Sequence, residues 1–145
     1  MPYLAFLAGE NITAAKLNSR IVEEVLEWTP LSSLGVFASG MTANPAKAPK
    51  LRILRVLGTE VWLLEGRINT AGTSMVNTTV TMFTFNAPYR PTVEHGTHVY
   101  AATSSHYPVR LGLMVSGALT GSVPSAATTP STVWLDNVAF TNPIF

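Results

Sequence analysis

The chain has 145 residues, the length of one ordinary domain, and its formal net charge of +1 gives no basic excess for electrostatic nucleic-acid binding. Its 47% hydrophobic content excludes a disordered chain, yet no apolar run reaches the roughly 20 residues of a membrane helix. Only 12% of residues are charged, and there is no cysteine for a disulfide or a thiolate site. So few charges predict a surface that faces other protein chains.

Residues 10–27 have the pattern of a short amphipathic helix, which Asn11 or Thr13 can cap. Leu17, Ile21 and Val25 recur every four residues on one face of this helix, and Trp28 lies just beyond them. A helix of about four turns is not stable alone. Its apolar stripe therefore packs either on its own domain or on the same helix of neighbouring chains, and we take the four residues as candidates for oligomerisation. The arm and helix together form residues 1–28.

Residues 29–50 are predicted to connect this helix to the rest of the chain. Thr29-Pro30 ends the helix, because the residue before a proline avoids the helical region. The stretch 39–50 contains two prolines and reads as an extended arm that crosses a surface. One short strand at 34–38 is possible within it.

Residues 51–145 are predicted to form a β-sandwich or jelly-roll-like head. Leu51–Leu57 and Glu60–Ile68 flank Gly58-Thr59, which favours a hairpin with a type II′ turn. Further strands are predicted at 79–85, 97–103, 107–115, 118–123 and 132–140. Since no second helix is available for parallel crossovers, the expected class is mainly β, preceded by a short N-terminal α-helix. The first strand is apolar on both faces, which predicts that its outer face meets another subunit.

The search for reactive residues favours neither a catalytic nor a metal site. His95 and His98, with Glu94 adjacent, have spacing for a metal, but residues three apart on a strand point to opposite faces. Beyond the helix the acidic residues are Glu60, Glu65, Glu94 and Asp136. Asp136 is expected to cap backbone groups near a turn. We therefore expect no enzyme activity, no cofactor and no bound metal.

Aromatic residues and histidines near strand ends are candidates for a ligand surface. These residues are Tyr89, His98, Tyr100 and Tyr107. Sugars stack on such rings, but tyrosine is also common in cores and interfaces because one end of its side chain is polar. Both interpretations remain open from sequence.

Several segments, taken in order, resemble tailed-phage virion proteins. Residues 6–18 read Phe-Leu-Ala-Gly-Glu-Asn-Ile-Thr-Ala-Ala-Lys-Leu-Asn, similar to a short arm that leads into a helix in such proteins. Glu65-Gly66-Arg67-Ile68, Tyr89-Arg90-Pro91, residues 109–119 and the Trp-Leu-Asp strand at 133–138 resemble elements of tail-fibre and receptor-binding heads. The resemblance covers roughly residues 6–18 and 50–140.

This resemblance implies a homotrimer with helices bundled at its base and β-sandwich heads above. Leu17, Ile21 and Val25 would form the trimer seam. The expected protein is a non-enzymatic part of the virion that contacts a receptor at the tail, with other virion proteins and a host surface glycan as partners and without nucleic acid or membrane. Only residues 29–50 separate helix from head, shorter than a typical fibre shaft, so decoration of the capsid is the alternative. A free carbohydrate-binding module is a more distant one.

Overall fold

The computed structural model describes residues 21–71, 73–102 and 107–143. In these ranges thirteen strands follow one another: β1 (Val22–Pro30), β2 (Gly35–Phe37), β3 (Thr42–Ala43), β4 (Lys50–Val56), β5 (Thr59–Glu65), β6 (Arg67–Asn69), β7 (Val80–Phe85), β8 (His95–Val99), β9 (Ala101–Ala102), β10 (Val109–Leu113), β11 (Ala118–Ser122), β12 (Thr132–Trp134) and β13 (Val138–Pro143). Two short 3-10 helices are interspersed, at Leu31–Ser33 and Ala87–Tyr89. The predicted mainly β class is confirmed.

The strands form three sheets in which neighbouring strands run antiparallel. Sheet 1 has the order β1-β4-β5-β13, sheet 2 the order β2-β7-β11-β10-β8, and sheet 3 the order β3-β6-β12-β9. Rings from sheets 1 and 2 meet in the core, where Trp62 packs edge-on against Phe85 at 6.1 Å between ring centroids. His95 of sheet 2 likewise lies 5.1 Å from the Phe140 ring of sheet 1.

The predicted helix is wrong over residues 22–27, which lie in strand β1 (Val22–Pro30). This segment pairs with β4 from Val22 opposite Val56 to Pro30 opposite Lys50, with two register irregularities. The acidic residues that seemed to form the polar face of a helix instead bond arginines of β4. Glu23 pairs with Arg55 at 3.1 Å, and Glu24 accepts a hydrogen bond from Arg52. Cross-strand pairing therefore overrides a weak helix propensity.

The earlier part of the predicted helix, residues 10–20, lies outside the described residues, and so does Leu17. Ile21 stands directly before β1, and its carbonyl oxygen accepts a hydrogen bond from the Leu57 amide at 3.1 Å. Val25 and Trp28 lie on β1 and are exposed. Val25 and Trp28 thus belong to a strand and not to a helical seam, whereas a role of Leu17, Ile21, Val25 and Trp28 in oligomerisation stays a prediction.

Residues 29–50 add strands and core side chains to the sheets. This range supplies β2 to sheet 2 and β3 to sheet 3. Three of its side chains, those of Leu31, Leu34 and Met41, are buried. The strand expected at 34–38 is confirmed as β2.

The predicted hairpin is confirmed, but its turn lies one residue earlier than expected. β4 and β5 pair with Val56 opposite Thr59, so Leu57 and Gly58 are the two central residues. Both have a positive φ, 48° and 82°. Two left-handed central residues are typical of a type I′ turn, so the predicted type II′ turn is wrong.

Three segments that were predicted as single strands each serve two sheets, and residues 97–103 do so through β8 of sheet 2 and β9 of sheet 3. The stretch 60–68 breaks at Gly66, so that β5 lies in sheet 1 and β6 in sheet 3. The stretch 132–140 breaks at residues 135–137, between β12 of sheet 3 and β13 of sheet 1. Gly66 has φ 92°, and a Cβ there would lie 2.6 Å from the Pro49 Cα. Only glycine allows this change of direction beside a neighbouring backbone.

The core follows the alternation of the strands. Val109, Leu111 and Leu113 of β10 are fully buried, as predicted, whereas Arg110 points out. The largest fully buried side chains are Phe83, Phe85, Leu31, Leu34, Leu51, Ile68, Met75, Met82, Leu111, Leu113, Leu119 and Leu135. Arg110 and its outward neighbours are therefore held on a rigid, well-packed sheet.

Candidate functional site

The four predicted ligand residues lie at three different places. His98 and Tyr107 line one depression on the outer face of sheet 2. Tyr100 lines a second groove beside sheet 3 and is 62% exposed. Tyr89 is half-buried and packs against the core from the second 3-10 helix. The structure therefore brings together His98 and Tyr107, and separates both from Tyr89.

The groove beside sheet 3 has an aromatic wall, and we call it the aromatic groove. Its volume is about 800 Å³, and Trp28, Leu63, Tyr100 and Trp134 contribute apolar surface to it. Tyr100 meets the Trp134 ring edge-on at 4.7 Å between centroids. The Arg67 guanidinium carbon lies 3.6 Å from the Trp134 ring centroid, a cation–π contact.

A charged residue at the base of the aromatic groove is fixed by several partners. Asp136 forms an ion pair with Lys47 at 2.7 Å and accepts a hydrogen bond from the Gly66 amide at 3.0 Å. Burial on its own raises the pKa of Asp136, but the Lys47 hydrogen bond, the Gly66 amide and the charges of Lys47 and Arg67 outweigh it. The net result is a pKa below the ordinary value of 3.8. The predicted capping role of Asp136 is confirmed.

The depression on sheet 2, which we call the polar trough, consists of two adjoining hollows. One, of about 520 Å³, is lined by His98, Tyr107 and residues from the start of β7. The other, of about 350 Å³, extends toward Glu94 and Gly96. Thr79, Arg110 and Ser122 line both hollows, which makes the trough continuous.

The histidines do not come together on strand β8. His95 lies opposite Leu113 and packs on Phe140, whereas His98 is exposed opposite Arg110. Burial lowers the pKa of His95 below its ordinary value of 6.5. Among the described residues no three potential ligands from His, Cys, Asp and Glu cluster in a way that could hold a metal ion.

The acidic residues beyond β1 are likewise dispersed. Glu60 bonds Arg55 at 3.3 Å, and Glu65 lies 3.6 Å from Lys50 across the hairpin. Each of these carboxylates thus lies against a cation, as Asp136 lies against Lys47, and Arg55 is shared between Glu60 and Glu23. Glu94 lies at one end of the polar trough. The arrangement offers contact surfaces with distributed charges.

The outer face of sheet 1 carries an apolar cluster beside the ion pairs Arg52–Glu24 and Lys50–Glu65. We define it by six side chains: Val22, Trp28, Leu54, Val56, Val61 and Leu63. Val22 is 45% and Trp28 38% exposed, and the other four are half-buried. Val25, on the same edge strand, is 41% exposed. The face has the character of a surface that another chain covers.

Sequence reasoning missed two features of these surfaces. It predicted one strand over residues 132–140, but the break between β12 and β13 directs Trp134 toward Tyr100 and Arg67. It also left Arg110 without a role, although the alternation of β10 already placed that side chain outside the core. Pairing of β10 with β8, which the sequence does not reveal, is what sets Arg110 beside His98.

Comparison with known proteins yields one informative likeness. Neither a protein-family model nor a curated protein matches the sequence. The structure is similar to the crystal structure of the receptor binding protein (gp15) of Listeria phage PSA, with a TM-score of 0.57 and 16% sequence identity. In its fold, this chain resembles a phage receptor-binding protein. The similarity covers 89% of this chain and 71% of that one, and it confirms the resemblance predicted from sequence.

Among the described residues, no helix combines the length and the hydropathy that a membrane crossing requires.

Proposed function

We propose that this protein is a non-enzymatic receptor-binding head at the tail of a bacteriophage, and that it works as a homotrimer. The observation that carries the proposal is the fold similarity to a phage receptor-binding protein over 89% of the chain. The order of the sequence segments that resemble such heads supports it independently of the strand topology. Its mechanism is adhesion to the cell surface.

The apolar outer face of sheet 1 supports the oligomer. Val22, Val25 and Trp28 project from the edge strand β1, next to the half-buried side chains of β4 and β5. Exposed edge strands and apolar faces are normally covered or charged in a soluble monomer. In the proposed trimer, sister subunits cover this face, which also accounts for the low content of charged residues.

The distribution of charges supports a role in binding. Glu60, Glu65 and Asp136 each form an ion pair, with Arg55, Lys50 and Lys47 respectively. Glycoside hydrolysis, the reaction most relevant to a sugar-binding head, needs two carboxylates on either side of one bond. The described carboxylates are arranged instead as structural ion pairs around rigid surfaces.

Binding to bacterial cells tests this function. The fluorescently labelled protein is mixed with a panel of bacterial strains that includes the host of the phage encoding it, and cell-bound fluorescence is measured. We expect saturable binding to the host strain and, at saturation, inhibition of phage adsorption. Saturable binding without any inhibition of adsorption would contradict a receptor-binding role at the tail, as would an absence of binding to the host.

A further inference from the structure

The polar trough of sheet 2 contains two nitrogen-bearing side chains set side by side. Arg110 of β10 and His98 of β8 are direct cross-strand partners. Such pairs place their Cβ atoms about 4.5–5.5 Å apart on one face of a sheet. Both side chains are exposed, and both line the larger hollow. A single small group can therefore reach the two side chains at once.

Among the described residues, neither side chain has an acidic partner. The ion pairs of the sheets engage Lys47, Lys50, Arg52 and Arg55, but not Arg110. Glu94, at the far end of the smaller hollow, forms no ion pair with Arg110. Among the described residues, Arg110 is the charged residue that lines the larger hollow, and the carboxylate of Glu94 lines only the smaller one.

The rest of the trough is suited to a sugar or polyol chain. Thr79 and Ser122 contribute hydroxyl groups beside Arg110. Tyr107 is 40% exposed, so its ring can stack on the C–H face of a sugar. Gly112 lies opposite Gly96, so neither strand carries a side chain at this point of the smaller hollow, and a bound chain can approach the two strands closely there.

We propose that the polar trough binds an anionic saccharide or polyol chain, one whose repeating units carry a phosphate or a carboxylate group. Arg110 bonds two oxygens of the anionic group through its planar guanidinium, and His98 contacts the same group. Tyr107 and the hydroxyl groups hold the adjoining sugar or polyol unit. This inference rests on the proposed receptor-binding function and assigns its ligand class and location.

The test measures binding of three polymers to the immobilised full chain. The probes are a glycerol phosphate oligomer, an oligogalacturonate and a neutral dextran. We expect binding of the phosphate or the carboxylate probe, no binding of dextran, and a weaker affinity as the NaCl concentration rises from about 50 to about 300 mM. The probe that binds identifies the anionic group. Equal binding of dextran, or no binding of either anionic probe at millimolar concentration, would overturn the proposal.

Two substitutions locate the site. Arg110→Gln should weaken binding about tenfold or more, because a charge-assisted bidentate contact is lost. Arg90→Gln removes the same charge near Gly117, at the opposite end of the β10–β11 hairpin, and should leave binding unchanged. Unchanged binding by Arg110→Gln would refute the trough as the site.

The cell-binding assay separates failure of this inference from failure of the proposed function. If the wild-type protein binds host cells and Arg110→Gln binds them equally well, the trough is not the receptor site, while the receptor-binding function stands. If the anionic probe binds in an Arg110-dependent way but no cells are bound, the trough is confirmed and the receptor-binding function fails.

Discussion

The amide of Gly66 donates a hydrogen bond of 3.0 Å to the carboxylate of Asp136, and the bond joins two of the places where the chain passes between sheet 1 and sheet 3. Gly66 stands between β5 and β6, and Asp136 stands between β12 and β13. Lys47 bonds the same carboxylate. This junction ties sheet 1 to sheet 3 and forms the base of the aromatic groove, so its stability affects both the fold and the surface.

Asp136→Asn should lower the free energy of unfolding by about 1–2 kcal/mol at pH 7, because a charge-assisted hydrogen bond and an ion pair are lost. The pKa of Asp136 lies below 3.8 in the folded protein. The ionised carboxylate of Asp136 therefore stabilises the folded protein. This stabilisation is fully present above pH 3.8 and is lost as the pH falls through the lower pKa that Asp136 has in the folded state. Urea unfolding of both proteins at pH 7 and at about pH 3 should show the difference narrowing in acid.

Glu65→Gln is the matched control for that experiment. Its pair with Lys50 is about 40% exposed on each side chain, and such pairs contribute little. We expect a change of less than about 0.5 kcal/mol. A loss as large as that of Asp136→Asn would contradict the special role of the junction.

Gly66→Ala should destabilise the protein by about 2–4 kcal/mol. The substitution places a Cβ 2.6 Å from the Pro49 Cα in a backbone conformation with φ 92°. Gly96→Ala is the comparison, since its Cβ would have no neighbour closer than 3.8 Å, and its effect should stay within about 1 kcal/mol. Thermal unfolding followed by circular dichroism measures both. Similar unfolding midpoints for the two variants would contradict a steric clash between a Cβ at position 66 and the backbone of Pro49.

Leu57→Asn should stabilise the β4–β5 hairpin by about 0.4–1 kcal/mol. Leu57 is 70% exposed and has φ 48°, a conformation that asparagine adopts more readily than leucine. The resulting Asn-Gly pair is the preferred type I′ sequence. Leu57→Ala keeps the strained φ without the benefit of asparagine, so no gain is expected. A stabilisation by alanine equal to that by asparagine, in urea titrations, would assign the effect to loss of the exposed apolar side chain.

The double variant Val25→Lys and Trp28→Lys should convert the proposed trimer into folded monomers. Both side chains are exposed on β1, so the substitutions remove apolar contact area without disturbing the core. Light scattering coupled to size exclusion gives the mass, and circular dichroism checks the strand content. Val36→Lys, at a 68% exposed position on β2, is the control and should remain trimeric. A double variant of trimeric mass would remove the outer face of sheet 1 from the interface.

The parts of the fold that sequence predicts are those governed by alternation. Leu111, with its neighbours in β10, showed a clear period of two, and the hairpin around Gly58 had its own turn signal. The segment Val22–Pro30 was misleading because its apolar residues also fit a helical period. Its true partner is strand β4, and Glu24, for example, bonds Arg52, which lies 28 residues further along the chain. Long-range pairing of this kind leaves no local signal.

The candidate surfaces depended even more on tertiary structure. His98 and Tyr107 were predicted as ligand residues, but the neighbour that gives their surface its charge, Arg110, became apparent only through strand pairing. Tyr89 was grouped with them because it also lies near a strand end, whereas it packs on the core. Residue type and spacing do not reveal which strand ends share a face.

The position of the protein on the virion tests the central claim most directly. Gold-labelled antibodies against the purified protein are applied to particles of the phage that encodes it and are located by electron microscopy. A receptor-binding head predicts gold at the tip of the tail, at the few positions that a small number of trimers can occupy. Gold distributed over the capsid would contradict this account and would show instead a protein that decorates the head.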